Sequence, residues 1–384
     1  MNKIVFNRTC FFGVDCSNTL AEEIKNRHFK KAFIITDNNL IECGLCQKVI
    51  SGLVRNSIPS VLFSDITPET TVRDVKNAYF ELKRSGADFI LAVGGGSPID
   101  TAKAVSVIFT NPKYADVVSL SGHKDNLNAP LPVFAIPTTA GSAAEASKSF
   151  VITDEILNKK LVCYNDKCPP VASFIDAGLM STMPDIVTLS SGFDAFAHAV
   201  ESLISKNANT FTKALSKDAI KLVVENLPLC YDDPNNIVAR ENMAYAEYMA
   251  GVAYTNSGLG LAHAIAHGVE GKYNIQHGII LAMVMCAALK FNMYSSSAED
   301  YKYIADAFGL DYTGKTTEEI CRAVIKEIDK FRSDFNIPKK LSDYGISEAD
   351  LDVIALNAFE DACNAANPRE ATMTDIYTIL KKLL

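Results

Sequence analysis

The first half of the chain alternates short, nearly unbroken apolar runs with longer segments of helical period. Residues 32–36 (AFIIT), 60–63, 88–93 (DFILAV) and 133–137 (VFAIP) form the apolar runs. Consecutive apolar positions of this length predict strands covered on both faces. The spacers 72–85 and 98–109 predict helices. Strand and helix in strict alternation predict a parallel sheet flanked by helices.

The second half has almost no strand pattern. Helical periodicity predicts helices over 187–204, 212–227, 237–254, 259–273, 279–291, 317–335, 348–363 and 373–383. Thr316 followed by Glu318 and Glu319 offers an N-cap, and Ser347 with Asp350 offers a capping box. No internal repeat interrupts this plan. The chain therefore reads as an α/β half of nucleotide-binding type, residues 1–180, followed by an all-helical domain, residues 181–384. The junction falls between Asp176 and Asp185.

Composition narrows the classes. Of 384 residues, 48% are hydrophobic and 21% charged, the balance of a folded globular chain. A net charge of −8 without a dense basic stripe argues against nucleic acid or an anionic membrane as partner. The longest apolar run, 279–289, is 11 residues; a membrane helix needs about 20. The N-terminal stretch has no apolar core or small-residue cleavage site of a signal peptide, so a cytoplasmic location is expected. The ten cysteines are then expected as thiols. Cys43 and Cys46 form a lone C-x-x-C, better read as two positions on an early helix than as a zinc or redox motif.

Gly94-Gly95-Gly96-Ser97 ends a predicted strand and opens a helix at Pro98. Glycines let a ligand approach the backbone, and the following helix N-terminus presents free N–H groups to an anion. The segment is a pyrophosphate cradle in physical terms, though not G-x-G-x-x-G. Thr138, Thr139 and Ser142 close the next strand and either line the same path or cap a helix. Asp37 also ends a strand. It suits a pair of ribose hydroxyls, repels a 2′-phosphate and so favours NAD over NADP; it equally suits a helix cap.

Four of the six histidines fall in one window of the helical half. Asp194 and His198 are four residues apart, as are His263 and His267, and His277 follows after a turn. Each pair shares a helix face. Polar side chains on such apolar helices are costly to bury unpartnered. One carboxylate with three imidazoles suits a first-row divalent ion, Fe²⁺, Zn²⁺ or Mn²⁺. Spacing leaves open whether His263 or His267 is the ligand.

These motifs carry a resemblance that covers essentially the whole chain. GADFILAVGGGSPIDTAKA, FAIPTTAGSAAEAS, FIDAGLMSTMP, GFDAFAHAVES, GLGLAHAIAHGVEGKYNIQHG and NPREAT are similar to segments of the iron-containing (group III) alcohol dehydrogenases. Within that family, the ITDE stretch, FIDA and NPREAT resemble the subgroup that reduces lactaldehyde to 1,2-propanediol. The resemblance implies a dehydroquinate synthase-like fold, NAD(H), a catalytic Fe²⁺ with Zn²⁺ as the other choice, a small aldehyde or alcohol substrate and a homodimer. It implies metal ligands at Asp194, His198, His263 and His277, with His267 a non-ligand catalytic histidine near the nicotinamide. It implies a dinucleotide site at Asp37, Gly95, Gly96, Ser97, Thr138, Thr139, Ser142 and Lys160. It implies a substrate pocket at Tyr254 and Cys363, with Ser149 where the subgroup has an amide.

Three departures stand out: Glu69 where the family usually has Asn, Ser142-Ala143-Ala144 in place of Thr-Gly-Ser, and Gln276 in place of Pro. Ser149 weakens the lactaldehyde assignment relative to a general short-chain alcohol or diol dehydrogenase. A dehydroquinate synthase-type lyase would need more basic residues near His263 and His277 than Lys272. A metallohydrolase would leave Asp37 and the glycines unused, and a binding module would leave the Asp/His set unexplained.

Overall fold

The computed structural model describes residues 3–384. Among the described residues nine strands lie before residue 176: β1 Cys10–Phe12, β2 Ala32–Ile35, β3 Ser60–Phe63, β4 Phe89–Gly94, β5 Gly122–His123, β6 Val133–Pro137, β7 Ser149–Asp154, β8 Lys159–Tyr164 and β9 Ala172–Ile175. Helices α1 Leu20–Asn26, α2 Asn38–Glu42, α3 Leu45–Arg55, α4 Val72–Ser85 and α5 Gly96–Thr110 punctuate them. The rest is helical: α6 Ala177–Met180, α7 Asp185–Ile204, α8 Thr210–Asp232, α9 Ile237–Ser257, α10 Leu261–Glu270, α11 His277–Asn292, α12 Tyr301–Ala307, α13 Thr317–Asp334, α14 Leu351–Glu360 and α15 Met373–Lys381.

Six strands form one parallel sheet in the order β1-β9-β6-β4-β2-β3. Strands β2, β4, β6 and β9 are buried at every position, because helices cover both faces; this is why their sequences read as continuous apolar runs. The chain leaves β2 toward one edge and returns through β4 toward the other. The switch point, where α/β sheets bind ligands, therefore lies between the carboxyl ends of β2 and β4. Asp37 and Gly94–Gly96 flank it.

The four strands anticipated in the first half are present, as are α4 and α5. Strands β1 and β9 were not anticipated. Both are short, and their place in the sheet is set by pairing with each other, Cys10 against Ser173 and Phe12 against Ile175, rather than by a local pattern. Strands β5, β7 and β8 form a second small sheet. The helix expected over 348–363 breaks at Asp361, whose side chain accepts the Cys363 N–H and starts a separate turn. Both capping signatures are present, Thr316 with Glu319 and Ser347 with Asp350. All ten cysteines are free thiols; Cys43 is exposed at the end of α2 and Cys46 buried on α3. Among the described residues no helix is long and apolar enough to cross a membrane.

Candidate metal centre and dinucleotide cleft

Three helices converge on one group of side chains. Asp194 and His198 project from α7, His263 and His267 from α10, and His277 is the first residue of α11. Helix α11 leans directly on α7 at Gly278, where a Cβ would sit 1.7 Å from the Ser190 carbonyl oxygen. No other residue permits that approach, which turns His277 toward Asp194.

One donor atom each of Asp194, His263 and His277 lies within 4.8 Å of the others. Asp194 Oδ1 is 3.6 Å from Nε2 of both His263 and His277. His198 adjoins them, its ring stacked on His263 with centroids 4.6 Å apart and its Nδ1 3.1 Å from the Gly141 carbonyl oxygen. Every imidazole has its Nδ1 engaged. His263 pairs with Glu201 (2.7 Å), His277 with Glu270 (2.6 Å) and His267 with Asp361 (2.9 Å). Outer partners of this kind set the tautomer and leave Nε2 for a cation.

The donor set fits a divalent metal on two grounds. Asp194 Oδ1 and His263 Nε2 are buried without any hydrogen-bond partner, a costly arrangement that a cation between them would resolve. Nitrogen and oxygen donors in this mixture suit first-row divalent ions. Burial would raise the Asp194 carboxyl, but His198, His277 and His263 hold it well below the usual range. Burial pushes His198 down to about 3 against the pull of Asp194. For His277 burial is overcome by Glu270 and Asp194, which carry it up to about 9.

A cavity of about 910 Å³ runs from this group to the N-terminus of α5. Gly96, Ser97, Thr139, Ser142 and Lys160 line it, as do His267, Ser149, Tyr254 and Cys363. Asp37, Gly95 and Thr138 do not form its wall. Gly95 packs against Thr139, and the Thr138 N–H donates to the Gly94 carbonyl (3.0 Å), stitching the two loops together. Gly94 has φ 151°, and a Cβ there would meet Pro98 Cγ at 2.4 Å, so glycine is required for the turn into α5. Asp37 caps α2, accepting the Leu40 N–H at 3.0 Å, and stands at the switch point beside this turn. Tyr254 turns its hydroxyl onto the Ser142 carbonyl (3.0 Å) and stacks its ring on His198 at 4.4 Å.

Residues 7–177 match the family described as Iron-containing alcohol dehydrogenase, and residues 188–384 match the Fe-containing alcohol dehydrogenase family, C-terminal. This chain belongs to the iron-containing alcohol dehydrogenase family. It is 36% identical over 378 residues to lactaldehyde reductase of Escherichia coli, covering 98% of each chain. It is 35% identical over 355 residues to NAD-dependent methanol dehydrogenase of Bacillus methanolicus, covering 92% of each. The solved structure of a 1,3-propanediol oxidoreductase superposes with a TM-score of 0.95 at 31% identity over 100% of both chains. The fold class is thus that of the family, and the protein is an oxidoreductase of the alcohol and diol type.

Glu201, Glu270 and Asp361 were not singled out from sequence, although two of them had a signal. Glu201 is seven residues after Asp194, and Glu270 seven after His263, so each continues its ligand face by one helical repeat. Asp361 had none, since it reaches His267 only through the break after α14.

Proposed function

We propose that this member of the family interconverts lactaldehyde and 1,2-propanediol using NAD(H) and Fe²⁺, with Zn²⁺ as the other candidate ion. The observation that carries the reading is the pair of orphaned buried donors, Asp194 Oδ1 and His263 Nε2, at one end of a cavity whose other end is the glycine-rich start of α5. A metal site and an anion cradle in one cleft have a joint use in hydride transfer to a carbonyl.

Asp194, His198, His263 and His277 would hold the ion. Gly95, Gly96, Ser97, Thr138, Thr139, Ser142 and Lys160 would take the dinucleotide, with Asp37 at the adenosine ribose. When bound, the ion supplies Lewis acidity and the nicotinamide supplies the hydride. Glu201 and Glu270 hold the ligand rings in register. His267, its Nδ1 held by Asp361, presents Nε2 to the cleft, where it would take a proton from water and relay it to the product oxygen. Tyr254 and Cys363 narrow the pocket, and Ser149 is the group available to a second substrate hydroxyl. We take the boundary between the two domains to fall near residue 180. A homodimer is the assembly we assign by family resemblance.

The name of the methanol dehydrogenase supports NAD, and the names of both relatives support short-chain substrates. A second reading, a general short-chain alcohol dehydrogenase, is favoured by Ser149, which replaces an amide, and by the near-equal identities to the lactaldehyde and methanol enzymes. The deciding experiment follows nicotinamide oxidation with lactaldehyde and with propanal under anaerobic Fe²⁺ loading. Equal efficiency on both selects the second reading; no oxidation with any short aldehyde defeats both.

A further inference from the structure

The turn between β3 and α4 is strapped to the start of α5. Thr70 Oγ1 donates to the Ser97 carbonyl at 2.9 Å, and Ser97 Oγ donates to the Pro68 carbonyl. Between these anchors stands Glu69, on the wall of the cavity beside the anion cradle. Its carboxylate takes the ammonium of Lys160, which reaches across from β8.

Lys160 has a second carboxylate partner of different standing. Glu270 Oε2 lies 3.5 Å away, its side chain only 4% exposed, and Glu270 is already committed to His277. Glu69 is 44% exposed, and Lys160 is its side-chain partner among the described residues. The Lys160 side chain is 5% exposed. An ammonium so buried requires a counter-ion. Glu270 is a permanent one. Glu69, half-exposed, is free to swing into water. Burial alone would lower the Lys160 ammonium, but Glu270 and Glu69 together hold it above its ordinary value, so it stays charged.

We infer that Glu69 is a displaceable counter-ion of Lys160 that gates entry of the dinucleotide and sets its affinity. The inference rests on the nicotinamide reading above. Glu69 occupies the ammonium that a cofactor oxygen would otherwise take. It also places a negative charge beside the helix N-terminus that receives the phosphates. Binding therefore includes the cost of breaking the Glu69–Lys160 pair. The reduced cofactor carries one more negative charge than the oxidised one, so Glu69 acts more strongly against NADH than against NAD⁺. The effect is to favour release of the reduced form.

The test is equilibrium binding to the holoenzyme, NADH by nicotinamide fluorescence and NAD⁺ by calorimetry. Glu69→Gln should lower the Kd for NADH by about fivefold or more at low salt, with a smaller gain for NAD⁺. The gain should shrink at high ionic strength. Glu69→Ala should behave in the same way. In a Lys160→Met background, the change in Kd produced by Glu69→Gln should differ by at least about twofold from that in the unaltered enzyme, because the two residues act as a pair. An unchanged or raised Kd in both Glu69 variants overturns the inference. So does an equal gain with and without Lys160, which would reduce Glu69 to a general surface charge. If the unaltered enzyme binds neither NADH nor NAD⁺, the nicotinamide reading itself falls.

Discussion

His263 Nδ1 lies 2.7 Å from Glu201 Oε2, and the same carboxylate accepts the backbone N–H groups of Gly260 at 2.9 Å and Ala262 at 2.6 Å. One buried acid on α7 thus caps the N-terminus of α10 and fixes the tautomer of the histidine that α10 presents. Charge-assisted bonds to a helix N-terminus are among the stronger ones in proteins. The consequence is that His263 has only Nε2 left, and it faces Asp194.

Glu201→Ala should therefore lower metal affinity by about 10- to 100-fold, the usual cost of losing an outer partner. Glu201→Gln keeps an acceptor and should lose less. Competition with a chelator, followed by metal content, measures the difference. Equal retention in wild type and Glu201→Ala would remove Glu201 from the account.

His263→Ala and His277→Ala should lose metal and activity together. His267→Ala should keep most of the metal and lose rate, because His267 pairs with Asp361 instead of facing Asp194. Metal content alongside turnover separates the cases. Metal loss in His267→Ala would assign the wrong member of the α10 pair.

Asp37→Gly should raise use of NADP. An unfavourable contact with a 2′-phosphate is worth about 1–4 kcal/mol at protein-surface dielectric, so the ratio of kcat/KM for NAD over NADP should fall ~10-fold or more. An unchanged ratio would leave Asp37 with only its cap on α2.

Lactaldehyde should exceed propanal in kcat/KM, and 1,2-propanediol should exceed 1-propanol in reverse, since a site built for a hydroxyl discriminates against its absence while an apolar pocket gains only ~1–3 kcal/mol per methylene. Ser149→Ala should narrow both gaps and leave propanal nearly unchanged. If the gaps survive that substitution, the hydroxyl is read by another group.

Glu145 and Glu247 form a fully buried pair behind the Thr138–Ser142 loop, with Glu247 Oε1 accepting the Ala143 N–H at 2.7 Å. Burial, then the neighbouring Glu145, pushes Glu247 well above the usual carboxylate range. The folded state then holds a proton that the unfolded chain releases. This contribution to stability is present below the unfolded value and is lost as pH rises through the raised native one. Glu247→Gln keeps the shape and removes the titration. Its melting temperature should fall less between pH 5 and pH 8 than that of wild type, by ~2 °C or more. Parallel curves would contradict the raised Glu247 carboxyl.

The local features of this protein were legible in the chain itself. Strand and helix alternation, the turn at Gly94–Gly96 and the two i, i+4 pairs on α7 and α10 each depend on residues close in sequence, where the period of the backbone dictates which side chains share a face. The resemblance of long segments such as GLGLAHAIAHGVEGKYNIQHG reached further, to the family and its chemistry. What the tertiary structure alone decided depends on elements far apart in the chain. Strand β9 inserts between β1 and β6 although nothing in its four residues announces a place in the sheet. Gly278 brings α11 onto α7, so that His277 and His263, rather than His267, close on Asp194. Glu201, Glu270 and Asp361 become partners of particular imidazoles because burial removes water and each Nδ1 must be satisfied by whatever the packing brings within reach. Periodicity can put a histidine on a face, but the choice of its partner is made where two faces meet.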